Sequence, residues 1–326
     1  MRALRVHELG DPAEVLRLEA APVPQPGPAQ VRIRVEAAAL NFADDLLCRG
    51  KYQERPPLPF IPGMELAGEV VAVGGEARTP VGQRVMALAS PPNGALAEYA
   101  LAEDRGVHPI PPSLEADEAA AMLVSYQTGY LALHRRAALQ SGEVLLVHAG
   151  AGGVGSAAIQ LGIAAGARVL ATAGGADKVK LCRELGAEIA IDYRNEDFVA
   201  LVKEATQGRG ADVIYDPVGG DVSDLSRKCI AWEGRLLVIG FASGRIPEAP
   251  LNHALVKNYS ILGVYWGRYN GMNPDYVEHM HAELMRLQGQ GKIRPLIRSR
   301  ISLSEVPAAI TRLVGRGTVG KVVVRP

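Results

Sequence analysis

Hydrophobic and polar positions along this chain fall into two textures. Over roughly the first third, they alternate in short runs (Val31-Arg-Ile-Arg-Val35, Glu69-Val-Val-Ala-Val73, Arg84-Val-Met-Ala-Leu88), separated by turns of which Pro22-Val-Pro-Gln-Pro-Gly-Pro28 is the densest. A two-residue period broken by frequent turns predicts a β-rich, partly barrel-like unit. From Ser113 onward, helical runs alternate with short apolar strands expected at 144–147, 169–172, 189–192, 213–216, 236–240 and 261–265. That alternation predicts an α/β fold with a parallel, doubly wound sheet. The tail is mixed, with a helix at 274–288, a strand at 296–301, a capped helix at 304–314 carrying Glu305 in its first turn, and a strand at 322–324.

The stretch Val144-Leu-Leu-Val-His-Ala-Gly-Ala-Gly-Gly-Val-Gly155, followed by a helical run and Ala167-Arg-Val-Leu-Ala-Thr172, has the order of a βαβ nucleotide unit. Gly150 suits a tight turn after the strand, Gly152 a close backbone approach to a pyrophosphate, and Gly155 close helix packing. The N–H groups at Gly153, Val154 and Gly155 open the helix toward an anion. A chain with 36 glycines produces Gly-x-Gly-x-x-Gly by accident; the strand, loop, helix and strand around this one favour dinucleotide binding over a merely structural turn.

Composition narrows the class. The 326 residues suggest about two domains. With 35 Lys plus Arg against 35 Asp plus Glu, nothing argues for nucleic acid or an anionic membrane surface as a partner. Cys48, Cys182 and Cys229 are odd in number and scattered, which supports neither a disulfide framework nor zinc spacing and points to a reducing compartment. The N-terminus lacks the apolar core of a signal peptide. Residues 144–167 carry no formal charge, but six glycines interrupt them, so they read as a buried strand and helix, not a membrane span. A soluble, cytoplasmic protein is expected.

These residues support a family resemblance. Asn41-Phe-Ala-Asp44, Arg49-Gly-Lys-Tyr52, Pro62-Gly-Met-Glu-Leu-Ala-Gly68, the glycine loop, Ile239-Gly-Phe-Ala-Ser-Gly244, Gly263-Val-Tyr-Trp-Gly267 and Gly320-Lys-Val-Val-Val324 occur in an order that resembles the medium-chain dehydrogenase/reductase superfamily, and within it the zinc-free quinone oxidoreductase (zeta-crystallin-like) group. The resemblance implies a GroES-like substrate domain at 1–120, a Rossmann domain at 121–266, and a return segment at 267–326 completing the first. It also implies a homodimer that pairs the strand at 261–265. Where zinc-dependent relatives carry ligands, this chain has Asn41, Met64 and Val124; amide, thioether and isopropyl groups are poor zinc ligands, so no metal is expected. Without a Lewis acid, the easier reaction is hydride transfer from nicotinamide to an electron-poor quinone or α,β-unsaturated carbonyl compound. By resemblance, Asn41, Tyr52, Thr128, Phe241, Ala242, Ser243, Tyr265, Trp266 and Gly267 line the cofactor and acceptor. Tyr52 is the candidate proton donor or carbonyl ligand, or else a tyrosine beside a turn; close relatives carry a further tyrosine where this chain has Leu46. Two alternatives stay open: an enoyl-thioester or acryloyl-type reductase, and an NADPH-binding regulatory protein with little turnover.

Cofactor choice turns on the end of the second nucleotide strand. NAD-binding enzymes place an acid there; here Ala173 or Gly174 holds the position, with Lys178 in reach and Tyr193 matching a phosphate-contacting tyrosine of the resembled group. This favours NADPH over NADH, although Asp177 reads alternatively as the acid displaced into the loop. Lys321 reads either as a phosphate contact or as a flank of the last strand. His148 reads as packed or hydrogen-bonded, Gln127 as a possible substrate contact, and Arg49, Lys51 and Arg55 as a basic cluster that is either solvated or attractive to an acidic substrate.

Overall fold

The computed structural model describes residues 1–326 and divides them into two units, 1–124 with 295–326, and 125–294. The fold is α/β. In the first unit, strands Lys321–Arg325, Gln30–Ala39, Glu65–Val73, Arg84–Leu88 and Val107–Pro109 lie side by side, with Ile297–Ser302 outside Lys321–Arg325 and Tyr99–Glu103 also pairing Gln30–Ala39. Ladders are antiparallel except the last-formed pair, Ile297–Ser302 with Lys321–Arg325. Inward positions Val31, Ile33, Leu66, Val70, Val85 and Val324 are fully buried, which is the alternation read from the sequence made physical. The final helix, Val306–Val314, is entered through a capping box in which Ser302 N–H donates to Glu305 at 2.9 Å.

The second unit is a six-stranded, wholly parallel sheet in the order Ile189–Asp192, Arg168–Ala173, Val144–Val147, Ala211–Asp216, Ile230–Val238, Ser260–Gly263. The chain runs outward from Val144–Val147 in one direction, then returns to its other side. This places the loop after that strand at the point where strand order reverses, the usual ligand crevice of doubly wound sheets. All four residues of Val144–Val147 are buried, as expected of a central parallel strand.

Several boundaries differ from the sequence reading, among them the strand expected at 261–265, which runs Ser260–Gly263. The strand expected at 236–240 begins at Ile230, with Glu233 at φ 57° marking a kink within it that interrupts the apolar pattern. The return segment expected from 267 starts later. Helix Pro274–Gly289 belongs to the second unit, burying Val277, Met280, Leu284 and Leu287 there. No helix is long and apolar enough to cross a membrane.

Candidate functional site: a dinucleotide crevice and a buried polar cluster

The glycine loop joins Val144–Val147 to helix Gly153–Ala164. Gly153, Val154 and Gly155 occupy its first turn, where N–H groups have no acceptor inside the helix. They form a ready cradle for a pyrophosphate. A Cβ on Gly155 would lie 2.2 Å from the Ala149 carbonyl oxygen, so only glycine lets the helix start this close to the loop. Gly150 has another role than the expected turn. Its φ is not positive; Ala149, at φ 51°, makes the turn, and a Cβ on Gly150 would strike Cys182 Sγ at 2.8 Å.

No acidic residue follows Arg168–Ala173 directly. Gly174 follows, and a Cβ there would meet the Tyr193 hydroxyl at 2.7 Å and Arg194 Nε at 3.0 Å; the Gly175 position lies 3.6 Å from Arg194 Nη1. A phenol and a guanidinium therefore converge where an NAD enzyme would hold its acid. Asp192 fixes this corner by accepting from Gly175 N–H at 2.9 Å and Arg194 N–H at 3.1 Å. Lys178 lies in the first turns of helix Ala176–Glu184. Arg194 was missed in the sequence because it follows the neighbouring strand, not the glycine loop.

The turns after the fourth and fifth strands run together. Ala242 N–H donates to Pro217 O at 3.1 Å and Ser243 N–H to Val218 O at 2.9 Å. This holds Phe241, Ala242 and Ser243 at the carboxyl ends of the strands. Tyr265 is exposed, and Gly267 half-buried. Between them, the Trp266 ring is buried and its indole N–H donates to Gln127 Oε1 at 3.0 Å. Gln127, also buried, is spent on that contact and on His281 at 3.5 Å, so it is not a free substrate ligand. Thr128 opens the regular turn between two π-type turns, at the edge of burial.

His148 is a structural residue. Its Nδ1 lies 2.9 Å from Thr172 Oγ1 and its Nε2 2.8 Å from Ser226 Oγ. Ser226 donates its own proton to Val222 O, so Nε2 carries the hydrogen and Nδ1 accepts from Thr172. Burial lowers its pKa to about 4, leaving a neutral imidazole.

In the first unit, Asn41 caps helix Phe42–Cys48 and its carboxamide is fully used. Nδ2 donates to Ala39 O at 3.1 Å and Glu65 Oε1 at 3.0 Å, and Oδ1 accepts from Lys321 Nζ at 2.6 Å. The side chain expected to position substrate instead ties three segments of its own unit together. Lys321 likewise departs from the phosphate reading. Its ammonium gives its three N–H groups to Leu40 O, Asn41 and Glu65 at 2.9, 2.6 and 2.7 Å, and none remains for a ligand. Glu65 Oε2 accepts from Val124 N–H at 2.8 Å. Below it, Asp44 accepts from the Asn41 and Gly63 N–H groups, and burial raises its pKa to about 6. Tyr52 is half-buried against the core of this unit. In the basic cluster, Arg49 is neutralised by Asp11 and Asp45 at 2.7 and 2.8 Å.

Residues 27–112 match the alcohol dehydrogenase GroES-like domain family, and residues 153–283 the zinc-binding dehydrogenase family. The chain is 40% identical over 99% of its length to a quinone oxidoreductase-like protein 2 homolog of Nematostella vectensis, covering 88% of that protein. It is 38% identical to a quinone oxidoreductase of Pseudomonas aeruginosa, with 96% of each covered. This chain belongs to the quinone oxidoreductase family. The structure of the Escherichia coli quinone oxidoreductase complexed with NADPH matches all of both chains at a TM-score of 0.93 and 28% identity. As a member of this family, the chain is a medium-chain dehydrogenase/reductase with a Rossmann sheet and a GroES-like unit. One matched family is described as zinc-binding; Asn41, Met64 and Val124 are the residues that the family resemblance sets where zinc-dependent relatives carry ligands.

Proposed function

We propose that this quinone oxidoreductase is an NADPH-dependent, zinc-independent reductase that delivers hydride to a quinone or an α,β-unsaturated carbonyl compound. The observation that carries the cofactor reading is the corner at Gly174, where the Tyr193 phenol and the Arg194 guanidinium converge, while the Asp192 carboxylate is taken up by the Gly175 and Arg194 N–H groups. The E. coli relative complexed with NADPH supports the same choice. When bound, the reduced nicotinamide supplies the hydride; the chain's own residues orient it. Gly153, Val154 and Gly155 would hold the pyrophosphate, and the Phe241–Ser243 and Tyr265–Gly267 turns would flank the nicotinamide end. Tyr52 is the group we assign to the acceptor's oxygen. Zinc independence rests on the donor set: Asn41 has no free amide atom, and Met64 and Val124 offer thioether and isopropyl groups.

The neutralised Arg49 removes part of the reason to favour an acyl-CoA substrate. Two further readings belong to the proposal. Strand Ser260–Gly263 is an open sheet edge, and Leu251, Leu255 and Val256 just before it are 82%, 76% and 68% exposed. A second copy pairing this strand across a twofold axis would cover both. The three free, buried cysteines suit a reducing, cytoplasmic setting.

Steady-state oxidation of NADPH and NADH against quinones, enones, crotonyl-CoA and acryloyl-CoA tests the assignment. Turnover with NADPH on quinones or enones is expected. A preference of orders of magnitude for the CoA esters would replace the acceptor, and absence of acceptor-dependent oxidation would sink the enzymatic reading.

A further inference from the structure

The second unit holds an open cavity of about 330 Å³ lined by Tyr130, His134, Arg135, Tyr276 and His279. It shares no residue with the dinucleotide crevice. Two helical segments build it, residues 123–136 and helix Pro274–Gly289. Spacings of four (Tyr130, His134) and three (Tyr276, His279) put each pair on one helix face.

The lining is chemically one-sided. It contains aromatic rings and hydrogen-bond donors but no carboxylate and no aliphatic side chain. The rings are ordered against one another: Tyr130 and His134 have centroids 4.2 Å apart at 42°, and Tyr276 and His279 6.5 Å apart at 48°. Arg135 lies 4.8 Å over the Tyr276 ring, so its guanidinium is held in place by a π face, not by an acid. The nearby carboxylate, Glu283, is already bound to Arg286 at 2.9 Å. Burial holds both phenols in their protonated, donating form, Tyr276 at about 12. A cation, two phenols and two imidazoles thus face one space that no carboxylate lines.

We propose that this cavity is a ligand site, separate from the reductase crevice, for a small planar organic anion, with an aromatic carboxylate as its simplest form. Arg135 binds the carboxylate through a charge-assisted pair, the phenols add donors, and the rings of Tyr130 and Tyr276 pack the planar body. The volume is at the small end of the range for organic ligand pockets, which suits one ring and its carboxylate.

Calorimetric titration of the full chain, saturated with NADPH, uses benzoate as the probe. Benzyl alcohol and inorganic phosphate serve as neutral and non-aromatic comparisons. Benzoate is expected to bind at least tenfold more tightly than either. Arg135→Gln and Tyr276→Leu are each expected to weaken it about tenfold, roughly the worth of one charged hydrogen bond, with NADPH oxidation unchanged in Arg135→Gln as proof of folding. Equal binding of benzyl alcohol would overturn the role of charge, and equal binding of phosphate that of the rings. Benzoate binding that is unchanged in both variants would place it elsewhere and end the proposal.

Discussion

Lys321 and Glu65 form an ion pair at 2.7 Å inside the first unit, with side chains 4% and 0% exposed. The pair joins the start of the last strand to the start of strand Glu65–Val73, and Asn41 bridges both partners. Its geometry satisfies the ammonium completely, which is the condition under which a buried pair is tolerated.

Lys321→Met is therefore expected to cost about 3–5 kcal/mol, because Glu65 is left charged and buried. Lys321→Met combined with Glu65→Gln should cost less than Lys321→Met alone, since no uncompensated charge remains. Urea unfolding of the single and double variants measures this; additive costs would show that the two residues are not coupled.

Arg194→Gln should raise KM for NADPH by about tenfold or more, the value of a charge-assisted hydrogen bond, with kcat and KM for NADH unchanged. If wild type prefers NADPH and the variant keeps that preference, Lys178 and Tyr193 read the phosphate without Arg194. Preference for NADH in wild type would instead remove the NADPH assignment itself.

The parts of the site legible in the sequence were those carried by local pattern. The glycine loop is read within one βαβ unit, and strand 144–147 is legible to the residue because its apolar run lies between Glu143 and His148. Partnership was not legible. Asn41 and Lys321 stand 280 positions apart, and nothing in either segment tells that the amide and the ammonium satisfy each other. Trp266 and Gln127, 139 positions apart, hide in the same way. Arg194 lies next to Gly174 only because two strands are neighbours in the sheet.

Tyr52→Phe should lower turnover while leaving NADPH affinity near wild type. The change removes only the hydroxyl, and the ring continues to pack on the core. Single-turnover rates with a quinone and an enone make the comparison; unchanged rates with both would take Tyr52 out of the chemistry.

Leu255→Asp is expected to convert a dimer to monomer in sedimentation experiments. It places a charge within an apolar patch beside the free edge of Ser260–Gly263, at a side chain that is largely exposed. A wild-type protein that sediments as a monomer at micromolar concentration would exclude the twofold pairing.

Stability should fall as pH drops from about 6.5 to about 4, through His148 and His108, whose pKa values burial lowers to about 4. In that window the unfolded chain binds protons that the folded imidazoles refuse, so acid favours unfolding. Each shift is worth up to about 3 kcal/mol. Asp44 acts with the opposite sign: raised to about 6, it binds a proton in the fold before the unfolded carboxyl does, and its contribution grows as pH falls from 6 toward 3.8. Below that range the carboxylates held low by arginines, such as Asp117 between Arg300 and Arg325, lose their pairing and add to the loss. Denaturant midpoints taken across pH 4 to 7 are expected to show a shallower slope in His148→Gln than in wild type, as the imidazole pinned by Thr172 and Ser226 no longer titrates. Equal slopes in the two proteins would mean that His148 accepts a proton without breaking that network.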